Sequence, residues 1–248
     1  MPTATVSLGD VTVDRGHRRV LAIESLSLRP GVTAVVGPNG SGKSTLLHVV
    51  AGLIEPVGGS VHVAGGISYV LQATAVSATL PVTVRETVAL ARAASLGPFR
   101  PLRRTDRDAV THAMRRLDVE ELANRHLADL SGGQRQRVFV AQGIAQEADV
   151  LLLDEPVAGL DLPSAERIRD VVTDERAAGR TVVIATHDLD EAARADHAVL
   201  LAGRVVADGR PDEVLTADNL RAAYSGHLLD LGYGVVALDD GAHGHHGP

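Results

Sequence analysis

Gly37-Pro38-Asn39-Gly40-Ser41-Gly42-Lys43-Ser44 fits the pattern G-x-x-x-x-G-K-[ST] without a mismatch, and Thr45 follows it. Directly before it, Val32-Thr33-Ala34-Val35-Val36 is a β-branched run of strand type. Directly after it, Leu46-Leu47-His48-Val49-Val50-Ala51 can continue as a helix. A strand feeding a tight glycine loop and then a helix commits this part of the chain to an α/β core. The glycines let backbone N–H groups curl around a triphosphate, and the helix N-terminus adds positive potential. Lys43 offers a mobile point charge to the outer phosphates, and the Ser44 hydroxyl suits a magnesium ion. Residues 37–45 therefore read as a nucleotide site.

Further along, Val150-Leu151-Leu152-Leu153 is a continuous apolar run, as expected of a parallel strand buried on both faces, and it ends in Asp154-Glu155. Downstream of a phosphate loop, such a pair has a specific use. The first carboxylate, Asp154, can hold magnesium through water, and the second, Glu155, can orient or deprotonate an attacking water as general base. Gln72 closes the short strand Ile67–Leu71, and His187 follows the buried strand Thr181–Thr186. Four strand ends thus bring Lys43 and Ser44, Gln72, Asp154 and Glu155, and His187 to one edge, where open α/β sheets bind ligands. Leu130-Ser131-Gly132-Gly133-Gln134 adds another feature: Ser131 and Gln134 are spaced as a capping box for a helix running to about Gln146, whose N-terminus is a second anion site.

The remaining chain organises around these points. Thr5–Val13 and Leu21–Leu28 read as extended segments joined by a polar turn over residues 14–19, forming an antiparallel edge beside the nucleotide. Ser60–Ala64 and Ile67–Leu71 are short strands split by Gly65-Gly66. From about Ala73 the pattern becomes helical: Val82–Ala94, a Pro- and Arg-rich break, then Asp106–Leu117 with Val110, Ala113, Met114 and Leu117 on one face. This is a helical lobe, about residues 73–145, inserted between two halves of the core. Asp161 opens a helix that Gly179 ends, and Asp188 with Glu191 form a further capping box. Ala198–Ala202 and Val205–Asp208 make a hairpin, and short helical pieces follow to Ser225. Residues 226–248 form a Gly- and His-rich tail whose last eight residues read as disordered.

Composition sets limits. No apolar run reaches the roughly 18 residues of a membrane helix, and the N-terminus lacks the regions of a secretory signal, so the expected place is the cytoplasm. With no cysteine, disulfide, thiolate-metal and cysteine-nucleophile chemistry are excluded. A net charge of −7 and 2% aromatic residues argue against a nucleic-acid partner.

Taken together, GPNGSGKST, Gln72, LSGGQ, LLLDEP, Ala158-Gly159-Leu160-Asp161 and His187 in ATHD resemble the ATP-binding subunit of an ABC transporter over about residues 4–224. The resemblance implies a P-loop NTPase core with a mixed sheet, an N-terminal antiparallel β subdomain and an inserted α-helical subdomain, using ATP and Mg2+. It further implies a head-to-tail pair of copies, with Ser131, Gly132, Gly133 and Gln134 of one closing on the γ-phosphate held by the other. Asp161 would communicate across the pair, and His187 would hold the γ-phosphate and the attacking water. Ser44, Gln72 and Asp154 would hold magnesium. The aromatic residue that stacks on adenine in this family is missing; Arg15 stands in its place with His17 nearby, either lying on the purine by cation–π contact or solvated. Ala158-Gly159 before Leu160-Asp161 is a milder departure.

Residues 80–107, with Arg-Val-Phe-Val-Ala-Gln-Gly after the signature, are similar to the ATPase subunits of zinc and manganese importers. That implies a polytopic membrane permease gripped by the helical lobe, on the inner face of the cell membrane, and an extracytoplasmic metal-binding protein. Iron-chelate and cobalamin importers share parts of the pattern. His227, His243, His245 and His246 in the tail suit zinc or nickel, or are simply solvated. Two other classes compete: an exporter subunit, which would share the ATP chemistry, and a soluble ABC ATPase acting on nucleic acid, which one cassette, no heptads and an acidic balance disfavour.

Overall fold

The alternating pattern of the first thirty residues folds as two long antiparallel strands, β1 (Val6–Arg15) and β2 (Arg18–Leu28). They are seen in a computed structural model that describes residues 5–71, 81–96, 101–224, 228–230 and 236–238. Val6 and Leu8, then Val11 and Val13, turn inward, the two-residue alternation slipping by one at Asp10 (φ 52°), where the pairing with the strand on the other side is irregular. The strands outrun the expected six-residue turn. Arg15 pairs with Arg18 at the hairpin tip, leaving only Gly16, at φ 61°, and His17 to reverse the chain.

β4 (Gly58–Val63) pairs with the other side of β1, completing a sheet of order β2-β1-β4. The next strand, β5 (Ile67–Val70), joins a different sheet, so the two segments split by Gly65-Gly66 part company. The cause is a contact with a distant segment: the Gly66 N–H donates to Asp149 Oδ2 at 2.8 Å and its carbonyl accepts from Val150 N–H at 3.0 Å, which steers β5 alongside the strand that begins there.

That strand is β6 (Val150–Asp154), and with β3 (Gly31–Val36), β7 (Thr181–Thr186), β8 (His197–Leu201) and β9 (Val205–Gly209) it builds a six-stranded sheet of order β5-β6-β7-β3-β8-β9. All neighbours are parallel except β8 and β9. Both faces are covered, which is why β3, β6 and β7 are apolar along nearly their whole length. On one face Val35, Val150, Leu152 and Val183 pack with Leu46 and Leu47 of α1 (Lys43–Val50) and the inward side of β1 and β2. On the other, Leu151, Leu153, Val182 and Ile184 pack with α4 (Gly132–Ala145) and α5 (Leu162–Ala177). Truncating fully buried Leu152 to Ala would cost about 2–5 kcal/mol.

Between β5 and β6 lie α2 (Val84–Leu96), α3 (Arg104–Arg116), two 3₁₀ turns at Glu120–Leu122 and Leu127–Asp129, and α4. Val110, Ala113, Met114 and Leu117 are buried together, the face their spacing predicts. An ion cluster ties this lobe to the core: Arg116 of α3 pairs with Glu175 and with Asp174 of α5, the latter at 3.2 Å, and Arg180 reaches Glu175 as well.

After β7, Asp188 caps the short helix α6 (Leu189–Ala193) by accepting from Asp190 and Glu191 N–H, but the reciprocal half of the expected box is not made. Glu191 is buried instead, its Oε2 without a partner among the described residues, while the Asp188 N–H donates to Thr186 Oγ1 at 3.1 Å. α7 (Pro211–Val214) and α8 (Ala217–Tyr224) close a third apolar cluster against β3 and β8. Two short strands, β10 (Leu228–Asp230) and β11 (Val236–Leu238), pair antiparallel within the Gly- and His-rich tail, ahead of the last eight residues that read as disordered. Gln72, residues 73–80 and 97–100, His227, His243, His245, His246 and the last eight residues lie outside the described residues.

Candidate active site at the phosphate loop

The loop between β3 and α1 is held open by its glycines. Gly40 and Gly42 adopt φ 77° and 99°, left-handed conformations that side-chain-bearing residues rarely take. A Cβ at Gly37 would lie 2.0 Å from the Leu201 carbonyl oxygen, so the loop starts in contact with the end of β8. The β8–β9 turn then fixes it: Gly203 N–H donates to the Ser41 carbonyl at 2.7 Å, while its own carbonyl accepts from Ala22 N–H at 2.7 Å. One glycine thereby joins the phosphate loop, the central sheet and the N-terminal hairpin.

A cleft of about 870 Å³ opens above this loop, lined by Pro38 to Thr45, Glu155, Gly203 and Ala223 and by the arginines of the β1–β2 tip. The residues present fit a bound nucleotide. Ser41 Oγ is buried in the loop with no partner, and Lys43 Nζ, itself mostly buried, donates to the carbonyls of Gly37 at 2.7 Å and Pro38 at 3.2 Å. Burial pulls the Lys43 ammonium below the ordinary lysine range, and the Glu155 and Asp154 carboxylates offset part of that shift. A polyphosphate would restore its solvation. For magnesium the fit is narrower. Among the described residues no group of three His, Cys, Asp or Glu side chains could cage a metal, so Ser44 and Asp154 would hold it jointly with phosphate oxygens, as Mg2+ usually is.

Arg15, Arg18 and Arg19 reach the cleft because the hairpin is two residues tighter at each side than the sequence suggested. Arg19 is paired with Asp14 at 3.0 Å. His17 does not line the cleft.

Glu155 directly follows β6 and sits at φ 47°, a left-handed backbone that costs a non-glycine residue about 1–2 kcal/mol. Its N–H donates to the Ala185 carbonyl at 2.9 Å, tying it to the end of β7. His187, just past that strand, lies with Nδ1 3.2 Å from Glu155 Oε1. Because a carboxylate only accepts, Nδ1–H donates and Nε2 remains available. Asp154 receives the Tyr69 hydroxyl at 3.3 Å, and Tyr69 also meets His48 Nε2 at 3.0 Å. Burial, with Asp154 beside it, pushes the Tyr69 phenol up, so it keeps its proton.

Ser131, Gly132, Gly133 and Gln134 do not line this cleft. They open α4, and the capping box is formed as predicted: Gln134 N–H donates to Ser131 Oγ at 3.3 Å and Ser131 N–H to Gln134 Oε1 at 3.0 Å. Their neighbour is Asp161, the N-cap of α5, which accepts from Ser164 N–H at 2.9 Å and Ser164 Oγ at 3.1 Å. Those bonds hold the Asp161 carboxyl below the usual range. Tyr69, His48, Arg18 and Gly203 were missed in the sequence because each takes its place through a contact with another element; Ser164 was missed although its partner, Asp161, is only three residues away.

Fold and loop together define a P-loop nucleotide hydrolase with an inserted helical lobe. A family model described as ABC transporter matches residues 22–158. The Synechocystis manganese transport system ATP-binding protein MntA is 34% identical over 241 residues, covering 90% of this chain and 93% of that protein. The Halobacterium salinarum cobalamin import ATP-binding protein BtuD is 42% identical over 239 residues, with 90% of this chain but 60% of that protein covered. Among solved structures, a metal-chelate type ABC transporter in an inward-facing conformation superposes with a TM-score of 0.81 at 28% identity, covering 90% of each chain. The chain belongs to the ABC transporter family, as one of its ATP-binding, ATP-hydrolysing subunits.

Proposed function

We propose that the chain powers import of a divalent transition-metal ion, zinc by the resemblance of residues 80–107, through a polytopic membrane permease with an extracytoplasmic metal-binding protein. The observation that carries the metal reading is the match along nine-tenths of both chains to a relative named for manganese transport. The cobalamin-named relative has two-fifths of its length outside the match. No helix among the described residues is long and apolar enough to cross a membrane, so the permease would supply the pathway and anchor this subunit at the inner face. A groove of about 400 Å³ between β5, α2 and α4, edged by the exposed side chains of Leu71 and Leu90, supports docking at the helical lobe. Residues 1–225 would act as one ATP-binding unit, with 226–248 as an appendage.

In the proposed chemistry the backbone of residues 37–45 wraps the β- and γ-phosphates, and Lys43 leaves its carbonyl partners to neutralise them. Ser44 and Asp154, with Gln72, would hold Mg2+, which when bound neutralises charge developing on the phosphates. Glu155 takes a proton from a water as that water's oxygen bonds to the γ-phosphorus and the bond to the bridging oxygen of ADP breaks. His187, held by Glu155 through Nδ1–H, offers its free Nε2 as an acceptor to the attacking water beside the γ-phosphate. Ser131, Gly132, Gly133 and Gln134 of a second, head-to-tail copy aim the N-terminus of α4 at the same phosphate, with Asp161 behind them as the link between copies.

The test of cargo is made in cells: delete the gene and measure zinc and manganese content with growth under chelation. Loss of zinc with normal manganese is the expected result. Loss of manganese alone would move the assignment to that ion, and normal content of both with a defect in haem, siderophore or cobalamin uptake would overturn the metal reading.

A further inference from the structure

Strand alternation places Asp154 on the same face of β6 as Val150 and Leu152, the face covered by α1. Tyr69 stands beside Leu152 in the parallel register of β5 and β6 and packs in the same cluster. From there its hydroxyl meets Asp154 Oδ2 at 3.3 Å, and His48, in the last turn of α1, meets the same hydroxyl at 3.0 Å. The His48 and Tyr69 rings are set edge to face, with centroids 5.4 Å apart and planes at 89°. The hydrogen count orients this chain. The phenol has one proton and the carboxylate can only accept, so Tyr69 donates to Asp154 and His48 Nε2–H donates to the Tyr69 oxygen. Among the described residues this is the side-chain hydrogen bond that Asp154 receives.

We propose that Tyr69 is a positioning residue for ATP hydrolysis, fixing the Asp154 carboxylate for its metal ion, with His48 fixing Tyr69. The inference rests on the reading of Asp154 as the magnesium carboxylate. Groups that orient a metal-binding carboxylate commonly contribute 10–100-fold in metal affinity or activity. The loop that carries Lys43 and the strand that carries Asp154 are thereby braced against each other through α1, at the far end of the helix whose start holds the phosphates.

The experiment uses the full chain with a non-hydrolysable ATP analogue and Mn2+ as a paramagnetic stand-in for magnesium, binding being read from loss of the free-ion EPR signal. Tyr69→Phe should weaken Mn2+ binding about 10-fold. His48→Phe, which keeps an aromatic ring but donates nothing, should do the same, while His48→Gln, which can still donate to the phenol, stays near wild type. Metal-free binding of the analogue should be unchanged in all three. Tyr69→Phe and His48→Phe break the chain at different links, so either can be read if the other folds poorly, and thermal unfolding identifies which is folded. Asp154→Asn separates the two levels of the argument. If it weakens Mn2+ binding but Tyr69→Phe and His48→Phe do not, Tyr69 positions nothing. If Asp154→Asn itself leaves Mn2+ binding unchanged, the reading of Asp154 fails first.

Discussion

The Asp161 carboxylate fills the space where a side chain at Gly133 would go. A Cβ built on Gly133 would lie 2.6 Å from Asp161 Oδ2 and 2.6 Å from Ser164 Oγ. The N-termini of α4 and α5 are therefore in van der Waals contact, and Asp161 is locked by two bonds to Ser164. Gly133→Ala must push these helix starts apart. Overpacking of this kind costs about 1–3 kcal/mol, so a lowered melting temperature is expected together with lost turnover. Unchanged melting and ATPase rate would show that the contact yields freely.

Glu155→Gln keeps the shape of the site and would remove the base proposed here. ATP binding by calorimetry should persist while turnover falls by 10²–10⁴-fold, roughly the range for a lost general base. In size-exclusion chromatography the variant should elute as a dimer only when ATP is present. Hydrolysis near the wild-type rate would end the assignment.

Arg15 tests base recognition. It lines the cleft at the hairpin tip opposite the phosphate loop. If it lies on the purine, Arg15→Ala weakens ATP binding by about 1–2 kcal/mol and Arg15→Tyr tightens it. Equal affinities for all three chains would leave Arg15 as a solvated residue.

Glu191 gives a pH signature. Burial raises its carboxyl above the ordinary glutamate value of 4.5, against the opposing bond from Thr186. A raised folded value means the native state holds a proton that the unfolded chain releases. Its contribution is complete below pH 4.5 and declines as pH rises through the folded value. Glu191→Gln should therefore gain stability relative to wild type as pH is raised across that window. Parallel stability curves for the two proteins would contradict it.

Local pattern made much of this legible. The phosphate loop, the capping box of Ser131 and Gln134, and the buried strand ending in Asp154-Glu155 each announce themselves within ten residues, because turn chemistry, capping and strand burial are local constraints. What the sequence withheld is contact between distant segments. Nothing near Gly65-Gly66 says that β4 and β5 go to different sheets; Asp149, eighty-three residues away, decides that. Likewise His48, Tyr69 and Asp154 come from three elements, and only the register of β5 against β6 and the packing of α1 on that face bring them together. The expected box at Glu191 failed for a related reason: the spacing was right, but the Glu191 side chain is buried, with Oε2 unpartnered among the described residues, and does not turn back to the Asp188 N–H, which donates to Thr186 Oγ1 at 3.1 Å.

The left-handed backbone at Glu155 has a consequence for anyone engineering this protein. Gly and Asn tolerate φ 47° better than Glu does, so a library selected purely for thermal endurance would drift toward them at this one position. With Glu155 as the general base proposed above, each step of that drift would yield a hardier fold and a dead motor, and a screen that scores melting temperature alone would rank the inactive chains first.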